Sequence, residues 1–206
     1  QAKSMTSENP SKLLISTQNP HKLREIRAIM NKSDLELVSL DAIHDAPEVV
    51  EDRDTLDGNA SKKAEELFQF AGLPTMSDDT GLEVDALGGA PGVRSARFAG
   101  ENATAAVNRA LLLDQLEDSD NRRARFRTIV ALTTSEGTRL FEGTCEGVIT
   151  REERGDSGFG YDCIFQPDGY DQTFAELPSD IKNAISHRGR ALAQFAEWMT
   201  HNSLPG

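Results

Sequence analysis

The sequence predicts an α/β fold, and three observations carry that prediction. Short apolar or alternating runs at Lys12–Ser16 and Leu35–Leu40 are separated by stretches whose apolar residues recur at helical spacing. Arg125–Thr134 and Arg139–Thr150 read as two long strands, with Ser135-Glu-Gly137 as the turn between them. Between these halves, Ser77–Gly100 joins an Asp-Asp pair to a passage, Gly88-Gly89-Ala-Pro-Gly92, too glycine-rich for a helix or a strand. The 206 residues contain no low-complexity stretch and suffice for a real core in one domain, compact or in two lobes.

Taken in order, Lys12-Leu-Leu-Ile-Ser16 is a short buried strand, and Thr17-Gln18-Asn19 is the loop that leaves it. Pro20 stands at the first position of a helix with Asn19 as its N-cap, and Leu23, Ile26 and Met30 form its inner face. Lys22 falls in the first turn, where the helix dipole disfavours a cation. Either a phosphate binds at this strand–loop–helix junction, or the lysine is merely exposed at slight cost. Leu35–Leu40 is a second strand, followed by the acidic Glu48, Glu51, Asp52, Asp54 and Asp57, most of them solvated. A helix over Leu56–Ala71 carries Leu56, Ala60, Ala64, Leu67 and Ala71 as one stripe, with Lys63 beside it. Gly72 and Pro74 end it. A third amphipathic helix covers Thr104–Leu116. Arg122, Arg123, Arg125 and Arg127 are the only dense basic run, and alternating arginines on a strand read as a solvated face without a site. Leu192, Phe195 and Met199 are the stripe of a last helix capped by Ser186, which sets His187 and Arg188 at its positive end.

Three clusters carry candidate chemistry. Asp78 and Asp79 can share a cleft only where their strand is ending, with Gly81 supplying backbone freedom. Two crowded carboxylates favour a cation or a shared proton, and Mg²⁺ suits one or two carboxylates plus phosphates; the plainer alternative is a solvated acidic turn. Gly158-Phe159-Gly160-Tyr161-Asp162 flanks two rings with glycines, either to receive a flat ligand or because both rings are core. Lys182, His187 and Arg188 place three potential cations within seven residues. The net charge of −12 argues against a nucleic-acid polymer as partner, though not against a nucleotide. No apolar run approaches the ~20 residues of a membrane span and no secretory leader is seen, so a cytoplasmic protein is expected. Cys145 and Cys163 fit two free thiols. Gln1–Ser4 reads as an expression-tag remnant, and neither G-x-x-x-x-G-K-[ST] nor G-x-G-x-x-G occurs.

These blocks together resemble the inosine/xanthosine triphosphate pyrophosphatase family over nearly all of residues 12–200. Thr17-Gln-Asn-Pro-His-Lys22 is similar to T-G-N-x-x-K, and Asn59-Ala-Ser-Lys-Lys63-Ala to the end of E-N-A-x-x-K-A. Ser77-Asp-Asp-Thr-Gly-Leu, Leu87-Gly-Gly-Ala-Pro-Gly-Val and Ser95-Ala-Arg resemble D-D-S-G-L, L-G-G-x-P-G-x and S-A-R; Phe159-Gly-Tyr-Asp and Lys182-Asn-Ala-Ile-Ser-His-Arg-Gly complete the set. The resemblance implies a single ITPase-like domain over residues 1–206: an elongated, twisted mixed β-sheet flanked by helices, with the active-site cleft between two lobes. It also implies a homodimer and Mg²⁺ as cofactor.

For the site, the resemblance implies Asp79 as general base, and Glu51 with Asp78 or Asp79 as metal ligands. Lys22, Lys63, Lys182, His187 and Arg188 would hold phosphates or base edges. Phe159 would stack on the purine with Gly160, Tyr161 and Asp162 beside it, and Thr17, Gln18, Asn19 and Thr80 would complete the substrate contacts. Gln18 stands where the family has glycine, Thr80 where it has serine, and Cys163 where it has proline. Gly58 stands where a glutamate would complete a capping box with Thr55, which predicts a weaker helix start. The reaction implied is hydrolysis of ITP, dITP or XTP to monophosphate and pyrophosphate. A nucleotide sensor without turnover, and a pyrophosphatase for modified pyrimidines like the similarly folded septum-inhibitor family, are the alternatives.

Overall fold

The computed structural model describes residues 10–205, so the tag remnant lies outside the described residues. One mixed sheet has the order β2-β1-β3-β5-β6-β7, with β4 also on β3. Its strands are β1 (Lys12–Ile15), β2 (Glu36–Ser39), β3 (Thr75–Val84), β4 (Pro91–Gly92), β5 (Arg123–Thr134), β6 (Gly137–Ile149) and β7 (Phe165–Pro167). The helices are α1 (Pro20–Ile29), α2 (Leu56–Ala71), α3 (Ala105–Gln115), α4 (Ser179–Ile185) and α5 (His187–Met199). The expected elements form within a few residues of their predicted ends; β4, β7 and α4 are additional.

Three long antiparallel strands, β3, β5 and β6, are the frame on which two cores are built. At one end α1 and α5 cover Met76, Val130, Leu132 and Phe141, while α2 covers Ile129 and Ala131 on the opposite face. The strands there are buried on both sides, which is why β5 reads as a continuous apolar run from Ile129 to Leu132. At the other end a second core gathers Leu82, Val84, Phe126 and Phe165 with Leu112 of α3 and Leu116, which caps it. The far face of this end carries Arg123, Arg125 and Arg127. Arg125 pairs with Glu146 at 2.8 Å and Arg127 with Glu142 at 2.7 Å, so the predicted solvated face is a ladder of surface ion pairs. Arg122 differs: it donates to three backbone carbonyls, of Leu116, Ile149 and Thr150.

What positions the site is an interruption along one edge of β3. On its β5 side the strand is paired from Thr75 to Val84. On the other side β1 reaches only Thr75 and Met76, and β4 only Leu82 and Glu83. Among the described residues, Asp78, Asp79 and Thr80 therefore have a strand neighbour on one side only. This corrects the expectation that the strand ends at the aspartates, since it runs straight through them. It also corrects the role of Gly81, whose φ is not positive. A Cβ there would lie 2.6 Å from the carbonyl oxygen of Gly92, so glycine is required by close approach of β4. At Gly58 one half of the capping box is present, its N–H donating to Thr55 Oγ1 at 3.0 Å, and a Cβ there would meet Arg53 Cβ at 2.9 Å.

The first turn of α5 is seated directly on β6. A Cβ at Gly143 would stand 2.5 Å from the Ala191 nitrogen and closer still to the His187 carbonyl. Both are backbone atoms of a packed helix, which cannot swing aside. Gly143→Ala is expected to cost about 1–3 kcal/mol or more of stability in a urea titration. A loss below about 0.5 kcal/mol, the range of neutral surface changes, would mean that α5 lifts freely.

Candidate active site

Side chains alternate along β3, so Asp78 and Asp79 leave it on opposite faces. Asp78 lies opposite Val130 and projects among α1 and α5; Asp79 lies opposite Ile129 and projects toward α2. Because no strand covers the edge between them, both faces open into one cleft of about 1020 Å³. The Ser16–Asn19 loop borders it. Its last residue caps α1, with Asn19 Oδ1 accepting from the backbone nitrogens of His21 (2.9 Å) and Lys22 (3.4 Å). Thr17 Oγ1 in turn accepts from Asn19 N at 3.1 Å. Gln18 is exposed with φ in the ordinary negative range, so a side chain there imposes no strain.

Around Asp78 a chain of buried charges runs across the cleft. Asp78 Oδ2 meets Lys22 Nζ at 3.2 Å and Arg188 Nη2 at 3.1 Å. Arg188, 1% exposed, also donates to Glu25 and, at 3.3 Å, to Thr80 Oγ1. Glu25 passes the chain to Lys182 at 2.7 Å, and Lys182 reaches Asp162 at 2.7 Å. Asp162 Oδ2 accepts from the Phe159 N–H at 2.9 Å and so fixes the aromatic loop. Burial alone would raise the Asp78 carboxyl, but Lys22, Arg188 and Lys63 outweigh it and hold it far below the usual carboxylate range. Its second oxygen, Oδ1, is buried without a partner among the described residues.

Asp79 is held differently. It accepts from Asn59 Nδ2 at 3.2 Å and from the Thr80 N–H at 2.9 Å, and among the described residues it makes no ion pair. Burial, and then the nearby charge of Glu51, push its pKa up to about 6 against the pull of Lys22 and Lys63. Glu51 is paired with Lys63, whose side chain is 13% exposed and lines the cleft. Lys62, its neighbour, holds the same loop from outside through Val50 O and Asp52 Oδ1, both at 2.8 Å. No cluster of three or more metal-ligating side chains exists among the described residues. Glu51 and Asp79 nevertheless fit Mg²⁺, which takes one or two carboxylates and completes its shell with phosphates and water. Their mutual repulsion, visible in the raised Asp79, is what a cation between them relieves.

The aromatic loop separates its two rings. Phe159 is half-buried at the cleft wall, beneath Lys182 Nζ at 5.3 Å from its centroid. Tyr161 lines the cleft from the second core, and its hydroxyl donates to Ser95 O at 2.7 Å. Ser95 Oγ bonds Gly92 O at 2.6 Å and the Leu82 N–H at 2.8 Å, tying the glycine-rich loop to β3. Gly160 has φ of 60°, and its carbonyl accepts from Arg109 Nη1 at 2.9 Å. His187 is not the cation that its place in the sequence suggested. Its ring is stacked on Phe126 at 4.5 Å and buried, and burial followed by the charges of Arg188 and Lys182 lowers its pKa well below the ordinary value. It is a neutral imidazole whose Nδ1 has no partner among the described residues. Sequence reasoning missed Glu25, the common counter-ion of Lys182 and Arg188; its position one helical turn past Lys22 was the only signal.

The profile of the Ham1 family matches residues 13–198. A dITP/XTP pyrophosphatase of Porphyromonas gingivalis is 48% identical over 189 residues, covering 91% of this chain and 97% of that protein. One from Geobacter sulfurreducens is 48% identical, covering 89% and 94% respectively. Among solved structures, a HAM1 protein from Coxiella burnetii superposes with a TM-score of 0.85 at 38% identity, over 93% of this chain and all of that one. A nucleoside-triphosphatase/dITP/XTP pyrophosphatase from Mycobacterium abscessus gives 0.73 at 44% identity, over 89% and 98%.

Substituting the two adjacent aspartates is expected to change metal-free stability in opposite directions. Asp78→Asn leaves Arg188 and Lys22 short of their counter-ion inside the protein and should destabilise by about 3–5 kcal/mol. Asp79, with its folded pKa above the unfolded one, contributes stability that is present below about pH 4 and lost as pH rises through about 6. Asp79→Asn removes that loss and should stabilise at pH 7.5, by at most about 3 kcal/mol. Denaturant titrations in EDTA decide it; equal losses for both variants would contradict this charge assignment.

Proposed function

The chain belongs to the Ham1 family, and from that premise we propose that it hydrolyses the non-standard purine triphosphates ITP, dITP and XTP to monophosphate and pyrophosphate. The observation that carries this reading is the setting of Asp79. It is a carboxylate poised near neutrality, making no ion pair among the described residues, beside Lys22 and Lys63 in a cleft that Phe159 also lines. Relatives that match almost end to end are named for this activity.

Asp79 is ionised at neutral pH yet basic enough to accept the proton of an attacking water. Lys22 and Lys63 bind the polyphosphate and stabilise the charge that develops on departing pyrophosphate. Asn19 and Thr17 hold the loop that presents Lys22, with Gln18 at its exposed crest and Thr80 at the base of the cleft. Glu51 with Asp79 or Asp78 would hold Mg²⁺, which when bound would offset the charge of the polyphosphate and orient it. Phe159 supplies a stacking face, kept in place through Asp162, Gly160 and the anchored Tyr161. Lys182, Arg188 and the neutral His187 face the base edge. Donors there would donate to the oxo groups of hypoxanthine and xanthine and leave the amino groups of adenine and guanine unpaired. We further propose one domain, a homodimer and a cytoplasmic setting; the two free thiols suit that compartment.

With Mg²⁺ present, kcat/KM for ITP and XTP is expected to exceed that for ATP and GTP by at least about 10²-fold, since a polar site can discriminate by 10⁴–10⁵. Pyrophosphate, not orthophosphate, should be released. Values within a few-fold across the four nucleotides would sink the assignment. Asp79→Asn should lower kcat by roughly 10²–10⁴-fold while ITP affinity in EDTA hardly moves.

A further inference from the structure

His21 has no part in the chemistry above, yet its ring lies face to face with Phe159, centroids 5.1 Å apart and planes 21° from parallel. The two rings come from separate segments, one from the first turn of α1 and one from the loop after β6. The Phe159 side is fixed, its own N–H bonded to Asp162 and the Gly160 carbonyl to Arg109. The His21 side can move. Its backbone N–H is tied to Asn19, but among the described residues the half-buried ring is held only by its stacking and by the exposed Arg24 guanidinium, 2.7 Å from Nδ1. Lys22, the next residue, points to Asp78 at 3.2 Å, toward the end of the cleft where polyphosphate would lie. Consecutive residues of α1 thus address the two ends of a nucleotide.

We propose that His21 is the second wall of the base site, so that the purine is held between His21 and Phe159. This rests on the reading of the cleft as a purine triphosphate site. A flat ring in contact on both faces needs roughly 7 Å between the walls, so the His21 ring must move outward by roughly 2 Å, within reach of side-chain torsions. One ring–ring contact is exchanged for two ring–base contacts, and the base is shielded from water on both faces. That strengthens the hydrogen bonds to its edge from Lys182, Arg188 and His187. Every base has a π-face, so His21 adds affinity for nucleotides in general and leaves their ranking to the edge donors.

Calorimetric binding in EDTA, where no turnover occurs, tests this with ITP and with inorganic tripolyphosphate, which has no base. His21→Ala is expected to weaken ITP about 5- to 20-fold, the scale of one base–aromatic stack less the ring contact given up. Tripolyphosphate binding should stay within about two-fold, and His21→Phe should recover ITP binding to within about three-fold, since another flat ring replaces the wall. Unchanged or tighter ITP binding in His21→Ala would overturn the proposal, the latter showing that His21 is a plug the base must expel. An equal loss for tripolyphosphate would overturn it too, by tracing the effect to the start of α1. Wild-type protein that binds tripolyphosphate but not ITP would defeat the purine reading itself, and this inference with it.

Discussion

The site depends on a strand that is complete while one of its edges is not. β3 is paired along ten residues by β5 and is covered on its other side only at its two ends, by β1 and by β4. Full pairing on one side makes it a rigid platform, and alternation sends its two aspartates to opposite faces. The uncovered edge then lets both faces reach one cleft. Were β1 two residues longer, Asp78 would lie within a closed sheet. Had the strand ended at Asp78, the register that aims Asp79 at Asn59 would be lost.

Two aspartates one bond apart can therefore live in different electrostatic worlds. Asp78 is neutralised inside the protein by Lys22 and Arg188, and the chain continues through Glu25 and Lys182 to Asp162. Buried charges of this kind contribute little net stability, because desolvation offsets attraction, but each is costly to leave unpaired. The network consequently fixes relative positions: α1, α4, α5, β3 and the Phe159 loop each contribute a member and cannot drift apart. Asp79 is left out of that neutralisation. Its burial beside Glu51 is unfavourable to folding, and the same feature is what suits it to proton transfer and to a cation.

The sheet also explains why the cleft lies where it does. One core sits on each end of the β3–β5–β6 frame, and the cleft occupies the interval between them. Residues that close it come from both: Tyr161 and Ser95 from one side, α1 and α5 from the other. His187 belongs to both descriptions, stacked on Phe126 of the second core while opening the helix that carries Arg188. Packing and chemistry are not separate layers at this point in the molecule.

The sequence by itself determined the α/β class, the long hairpin, the caps of α1, α2 and α5, and the glycine stop of α2, because these rest on periodicity and local hydrogen bonding. It also singled out Asp78, Asp79, Lys22, Phe159 and Arg188, whose types are improbable for their local setting (cations at helix starts, adjacent carboxylates, a ring between glycines), and, by resemblance, Lys63 and Lys182. Only the tertiary structure decided what each faces. Gly81 read as a hinge and is a close contact; His187 read as a cation and is a neutral core ring; Glu25 and His21, which no sequence pattern singled out, touch the cleft's buried cations and its aromatic wall. The reason is physical. Local sequence fixes backbone geometry over a few residues, whereas burial, charge state and stacking depend on groups brought together from far along the chain, as Arg188 is brought to Asp78 across 110 positions.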